Sequence, residues 1–134
     1  MILLVLSAAG LLLGAENVGA ERCKLCHRGV YLSWAATPHA KAVSDLEERC
    51  LACHATEARK LPAVQCEACH GPGSDYAQPE VMIDPEKAAM AGLVRPNVVV
   101  CERCHENDEP RHRGELSMPE PSEWARTIHE MKDP

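Results

Sequence analysis

Eight cysteines fall in four pairs, each with two residues between the thiols and a histidine directly after. The runs are Cys23-Lys-Leu-Cys26-His27, Cys50-Leu-Ala-Cys53-His54, Cys66-Glu-Ala-Cys69-His70 and Cys101-Glu-Arg-Cys104-His105. Structural zinc sites, disulfide frameworks and redox dithiols all use pairs with this spacing. None of them needs the following histidine. With His at 7 of 134 residues, four such placements by chance have a probability on the order of 10⁻⁵. The run is instead the attachment signature of c-type haem. Two thiols three positions apart form thioethers to the two vinyl groups of one porphyrin, and the adjacent imidazole lies beneath the iron. Four c-type haems are therefore expected, attached through Cys23 and Cys26, Cys50 and Cys53, Cys66 and Cys69, and Cys101 and Cys104. His27, His54, His70 and His105 would be the proximal iron ligands.

Four irons have up to eight axial positions, and these histidines fill four. Three histidines remain, His39, His129 and His112, as candidate distal ligands in falling order of promise. At least one iron must then differ from bis-histidine ligation. It could be five-coordinate and open, bound by Met82, Met90, Met118 or Met131, or completed by a neighbouring subunit. His39 follows Thr37, a candidate helix N-cap, and Pro38, a candidate first helical residue, so its ring would be fixed in an opening helical turn. His129 borders an apolar stripe of Trp124, Ile128 and Met131 at helical spacing, with Ser122 as a possible cap. His112 stands between Arg111 and Arg113 with no periodicity around it, where a solvated histidine serves as well as a ligand.

The elements that must position these groups are short helices and loops. Asp84-Pro85-Glu86 starts a helix and Lys87 to Ala91 with Gly92 ends it. Val98-Val99-Val100 reads as an extended approach to Cys101. The 10 prolines, all beyond residue 20, keep helices short. The expected fold is mainly α with extensive loops and little or no sheet, a small multihaem cytochrome c wrapped around its four covalent haems. Composition agrees: hydrophobic residues reach 46% of the chain, yet Phe is absent and there are only 2 Trp and 2 Tyr. Porphyrins would supply the large apolar bodies of the core. The Met side chains more often fill gaps against such bodies than ligate iron.

Ile2 to Ala15 is an apolar run followed by the small residues Val18-Gly19-Ala20, the pattern of a secretory leader with cleavage near Ala20. Residues 1–20 thus read as a signal peptide or retained N-terminal anchor, and residues 21–134 as the tetrahaem domain. Such haem is attached outside the cytoplasm, so a periplasmic or otherwise extracytoplasmic location is expected, with membrane anchoring through residues 1–20 as the alternative. The formal net charge of -6 disfavours nucleic acid and anionic membrane surfaces as partners and suits a basic protein surface.

The run Cys66-Glu67-Ala68-Cys69-His70-Gly71-Pro72-Gly73-Ser74-Asp75-Tyr76 resembles the tetrahaem cytochrome c-554 family, as do Val81-Met82 and Ala91-Gly92-Leu93. So do Tyr31, Trp34 and His39-Ala40 after the first motif, and the closing Ile128-His129. The likeness covers nearly all of residues 21–131. It implies an extracytoplasmic electron carrier with closely spaced, mostly bis-histidine haems in stacked and perpendicular pairs. It also implies distal roles for His39 and His129, toward haems other than their nearest in sequence. The family's founding member takes electrons from hydroxylamine oxidoreductase, and its second haem lacks a distal protein ligand. The matching haem here is that of Cys50, Cys53 and His54. Where the family often has a Ser-Pro-Thr-Phe-like turn after the fourth motif, Glu109-Pro110-Arg111-His112 stands here, so His112 inherits no role.

Three functions fit these residues. The first is electron transfer through four closely spaced haems to redox protein partners, among them a membrane-bound or extracytoplasmic oxidoreductase. The second is a haem subunit of a membrane redox complex or multihaem filament, its missing ligand donated by a neighbour in self-association. The third is an enzyme acting on a small nitrogen oxide at an open, five-coordinate haem. Electron transfer comes first because histidine can close three of the four sites within one chain, while beside an open haem no catalytic constellation is identifiable unless His112 with Arg111 and Arg113 supplies one.

Overall fold

A computed structural model of the chain describes residues 14–42, 45–57 and 60–106. Over that span the protein is mainly helical. In chain order it has α1 (Ala20–Lys24), α2 (Arg28–Ala35), a 3-10 turn (His39–Lys41), α3 (Glu48–His54), β1 (Ala55–Glu57), β2 (Leu61–Pro62), α4 (Cys66–His70), α5 (Pro79–Met82), α6 (Pro85–Met90) and α7 (Val98–His105). The longest, α2 and α7, have 8 residues each, too few for a helix to hold by itself in water. None of the described helices is long and apolar enough to cross a membrane. Residues 1–13 of the expected leader lie outside the described residues, as does the segment carrying His112 and His129.

Local chemistry explains the boundaries. Asp84 Oδ1 accepts from the backbone N–H groups of Glu86 and Lys87 at 3.1 and 3.2 Å, and Pro85 takes the first position of α6, as its sequence anticipates. At the other end Gly92 adopts φ 99°. Its N–H donates to Ala89 O at 3.1 Å and that of Leu93 to Ala88 O at 2.9 Å, the paired closure that a left-handed residue after a helix permits. The extended reading of Val98–Val100 is corrected: all three belong to α7. Asn97 Oδ1 accepts from Val99 N at 3.1 Å, so a side-chain cap overrides the β preference of the valines. Thr37 is corrected too. Its Oγ1 donates back to Trp34 O at 2.7 Å instead of capping forward, and His39 opens a 3-10 turn with Pro38 at the cap position.

The small sheet is one antiparallel pair, β1 against β2, with Ala55 opposite Pro62 and Glu57 opposite Leu61. Thr56 Oγ1 ties its far side, donating to Ala63 O at 3.1 Å and accepting from Gln65 N at 2.7 Å. Among the described residues the buried apolar set is Ala20, Leu51, Ala55, Tyr76 and Ala88, mostly alanine. Larger apolar side chains stand outward: Leu25 is 70% exposed, Ile83 82% and Met90 89%.

Candidate haem-attachment sites

Each Cys-x-x-Cys-His run occupies about one helical turn. The third run is the whole of α4, the second closes α3 and the fourth closes α7. In the first run Cys23 lies in α1, and the turn carries on across the break, since His27 N–H donates to Cys23 O at 2.9 Å. Residues i and i+4 of a helical turn share a face. The first cysteine and the histidine of every run are therefore presented on one side, which is what a porphyrin held by thioethers and ligated from below demands.

The runs lie against one another. The Cys23 thiol is within hydrogen-bond reach of Cys66, joining the first run to the third. Arg103 Nη2 donates to Ala68 O at 2.9 Å, joining the fourth to the third. Cys53 Sγ donates to Arg103 O at 3.8 Å and lies within reach of Cys104, joining the second to the fourth. Neighbours thus follow the order first, third, fourth, second. All eight cysteines are free of disulfides. The thiols of the third and fourth runs are raised: Cys66 chiefly by its hydrogen bond to Cys23 and then by burial, Cys69 and Cys101 chiefly by burial. Burial first, and then Cys53, push Cys104 up to about 12. Cys23 in the first run is lowered, chiefly by that same hydrogen bond with Cys66. Among the described residues no three His, Cys, Asp or Glu side chains converge as a metal cluster.

His39 meets the fourth run. Its ring centroid is 6.0 Å from that of His105, with the planes at 78°. Two imidazoles on opposite sides of one iron, each nitrogen about 2 Å from the metal and about 1 Å from its ring centre, stand about 6 Å apart. Burial and then the neighbouring His105 lower the pKa of His39, which favours the neutral ring that a metal needs. His105 Nδ1 is buried without a hydrogen-bond partner. The His39 segment is tied in through the backbone: Val64 N–H donates to His39 O at 3.1 Å, and Trp34 Nε1 donates to Val64 O at 2.9 Å.

His70 is oriented from both sides by one residue. Its Nδ1 is 3.0 Å from Val94 O, while Val94 N–H donates to His70 O at 2.8 Å. A ring that gives Nδ1–H to a carbonyl offers Nε2 to a metal. The turn at Gly92 delivers Val94, and Gly71, at φ 82°, would bring a Cβ to 3.2 Å from Gly92 O. His54, in α3, is half-buried and His27, at the start of α2, is exposed. Met82 lies in α5, and Met90 ends α6 facing outward. His112, His129, Met118 and Met131 fall outside the described residues.

The residues present fit four attached haems: the runs are turn-shaped and clustered, His39 faces His105 at a cross-iron separation, and His70 is held by its second nitrogen. Exposed apolar side chains sit at the runs themselves, with Leu25 inside the first, Val99 two residues before Cys101, and Val94 on the ring of His70. Sequence reasoning missed Val94, Arg103 and Glu67. Glu67, inside the third run, is only 4% exposed, and it accepts from the N–H groups of Val18 at 2.8 Å, Gly19 at 2.7 Å and Gly73 at 2.7 Å. The signal for it was Gly73, where a Cβ would meet Glu67 Oε1 at 2.9 Å. No protein-family model matches the chain, and no curated protein or solved structure is significantly similar to it.

Proposed function

We propose that this chain is a tetrahaem c-type cytochrome of the cytochrome c-554 kind that carries electrons between protein partners outside the cytoplasm. The observation that carries the reading is the convergence of all four Cys-x-x-Cys-His runs into one contiguous cluster, with the ring of His39 set 6.0 Å from that of His105. Haems bound there would supply one-electron redox chemistry.

The protein's own residues do the holding. The cysteine pairs anchor, the histidines at the ends of the turns present imidazole nitrogen, and Val94 O fixes the tautomer and rotation of His70. His39 and His105 would together hold a haem at the fourth site, which suits electron transfer over turnover. Arg103 bridges the third and fourth runs through Ala68 O, holding two attachment sites at fixed separation. The leader-like run of residues 2–15 supports an extracytoplasmic setting, where thioether attachment takes place.

The test is the intact mass and absorption spectrum of the protein produced with c-type maturation. Four covalent haems and no steady turnover of nitric oxide or hydroxylamine are expected. A haem-free product carrying zinc or disulfides, or catalytic reduction of such a compound, overturns the reading.

A further inference from the structure

The small residues Val18-Gly19-Ala20 read in sequence as a peptidase site, yet each has a job in the fold. Gly19 adopts φ 83°, and a Cβ on it would meet Leu61 Cδ2 at 3.2 Å, so glycine suits this position on both counts. Ala20 is 4% exposed, and its N–H donates to Gln65 Oε1 at 2.8 Å. The N–H groups of Val18 and Gly19 supply two of the three donors that the buried Glu67 receives. Upstream, Glu16 and Ser74 clamp one another: Glu16 N–H donates to Ser74 Oγ at 2.9 Å, and Ser74 N–H to Glu16 O at 3.0 Å. Asn17 Nδ2 donates to Glu57 Oε2 at 3.2 Å. Gly19 O in turn accepts from Arg22 N at 3.0 Å, starting the turn that carries Cys23.

We propose that Glu16–Ala20 is a strap belonging to the mature domain, and that any leader processing falls at or before the Ala15–Glu16 bond instead of after Ala20. Cleavage after Ala20 would strip the Glu67 carboxylate of two of its three backbone donors and remove the Ala20 N–H bond to Gln65 Oε1, hydrogen bonds that hold the first run against the third. It would also place a charged new amino terminus on Glu21, at the head of α1, where the helix dipole disfavours positive charge. Because Glu67 sits between Cys66 and Ala68, the strap ties the first attachment run to the third. Ala15 supplies the small residue directly before the earlier bond.

The test is N-terminal sequencing with intact mass of the matured, exported protein made from the full chain. The expected first residue is Glu16 or an earlier one. A first residue at Asn17 or later overturns the proposal. The same mass counts the haems, so failure of the cytochrome reading is distinguished from failure of this one. A second chain, with residues 16–20 deleted and the leader joined directly to Glu21, is expected to unfold several degrees lower than the full chain or to yield no folded product. An unchanged midpoint refutes the strap.

Discussion

Replacing His39 with alanine removes the ring that faces His105 and leaves intact what holds its segment. The ties there are backbone to backbone, Val64 N–H to His39 O at 3.1 Å, and indole to backbone, Trp34 Nε1 to Val64 O at 2.9 Å. The expected loss of stability is therefore modest, on the order of 1 kcal/mol for a half-buried ring whose segment is held through its backbone. On the cytochrome reading, attachment of a fourth haem should persist, since Cys101 and Cys104 are untouched. The change expected is in the iron. At a ring separation of 6.0 Å the imidazole of His39 would reach a metal held by His105. Its removal should turn one iron in four, about 25% of the haem iron, from low spin to high spin. Low-temperature electron paramagnetic resonance and the charge-transfer band of the oxidised protein report this directly. His39→Met should restore a low-spin signal with an altered ligand signature. If His39→Ala leaves the spin populations as in the parent protein while the haem count stays at four, the assignment of His39 to the fourth site is refuted.

Two further predictions concern the scaffold. The pKa of Asp84 is lowered by the backbone N–H of Lys87 first and then by its side chain. A lowered folded-state value means that the cap's contribution is complete above the ordinary aspartate range and is lost as pH falls through that lower value. Asp84→Asn keeps a capping oxygen without the titration, so its acid unfolding profile should be flatter below about pH 4; identical profiles for the two proteins rule this out. Gly73→Ala would place a Cβ 2.9 Å from both Glu67 Oε1 and Val18 Cγ2. It should cost about 1–3 kcal/mol through displaced contacts, seen as a lower thermal midpoint, whereas Ala at Gly14, which meets nothing within 4 Å, should be close to neutral.

Sequence legibility tracked the range of the interactions. The attachment runs, the α6 helix and the mainly helical class are local statements, set by residues within one or two turns: Asp84 with Lys87, Gly92 with Ala89. The valines at 98–100 show where a local rule misled, because their β preference is weak against an Asn97 cap placed one residue upstream. What stayed hidden was long-range. Nothing near His70 in sequence announces Val94, 24 residues on, and nothing near Glu67 announces Val18, 49 residues back. The facing of His39 and His105 also crosses most of the domain, and composition has no bearing on such a pairing. A distal role for His39 toward a haem distant in sequence was implied by the family resemblance alone, and Gly71 and Gly73 stand where a Cβ would press on Gly92 O and on Glu67.

These long-range ties also bear on what makes the domain fold. The buried apolar residues described are three alanines, one leucine and one tyrosine, and burial of so little apolar surface does not offset the conformational entropy of ordering the chain. The polar clasps, Glu67 with Val18, Gly19 and Gly73, and Arg103 with Ala68, fix geometry, yet hydrogen bonds exchanged against water contribute little net stability. On the cytochrome reading, large apolar bodies would enter where Leu25, Val94 and Val99 stand exposed beside the cysteine runs. Thioether-linked porphyrins would bring apolar faces to those side chains and cross-link each turn at its two cysteines. On this reading attachment comes before, and causes, the packing of the four runs, and the short helices hold because cofactors brace them.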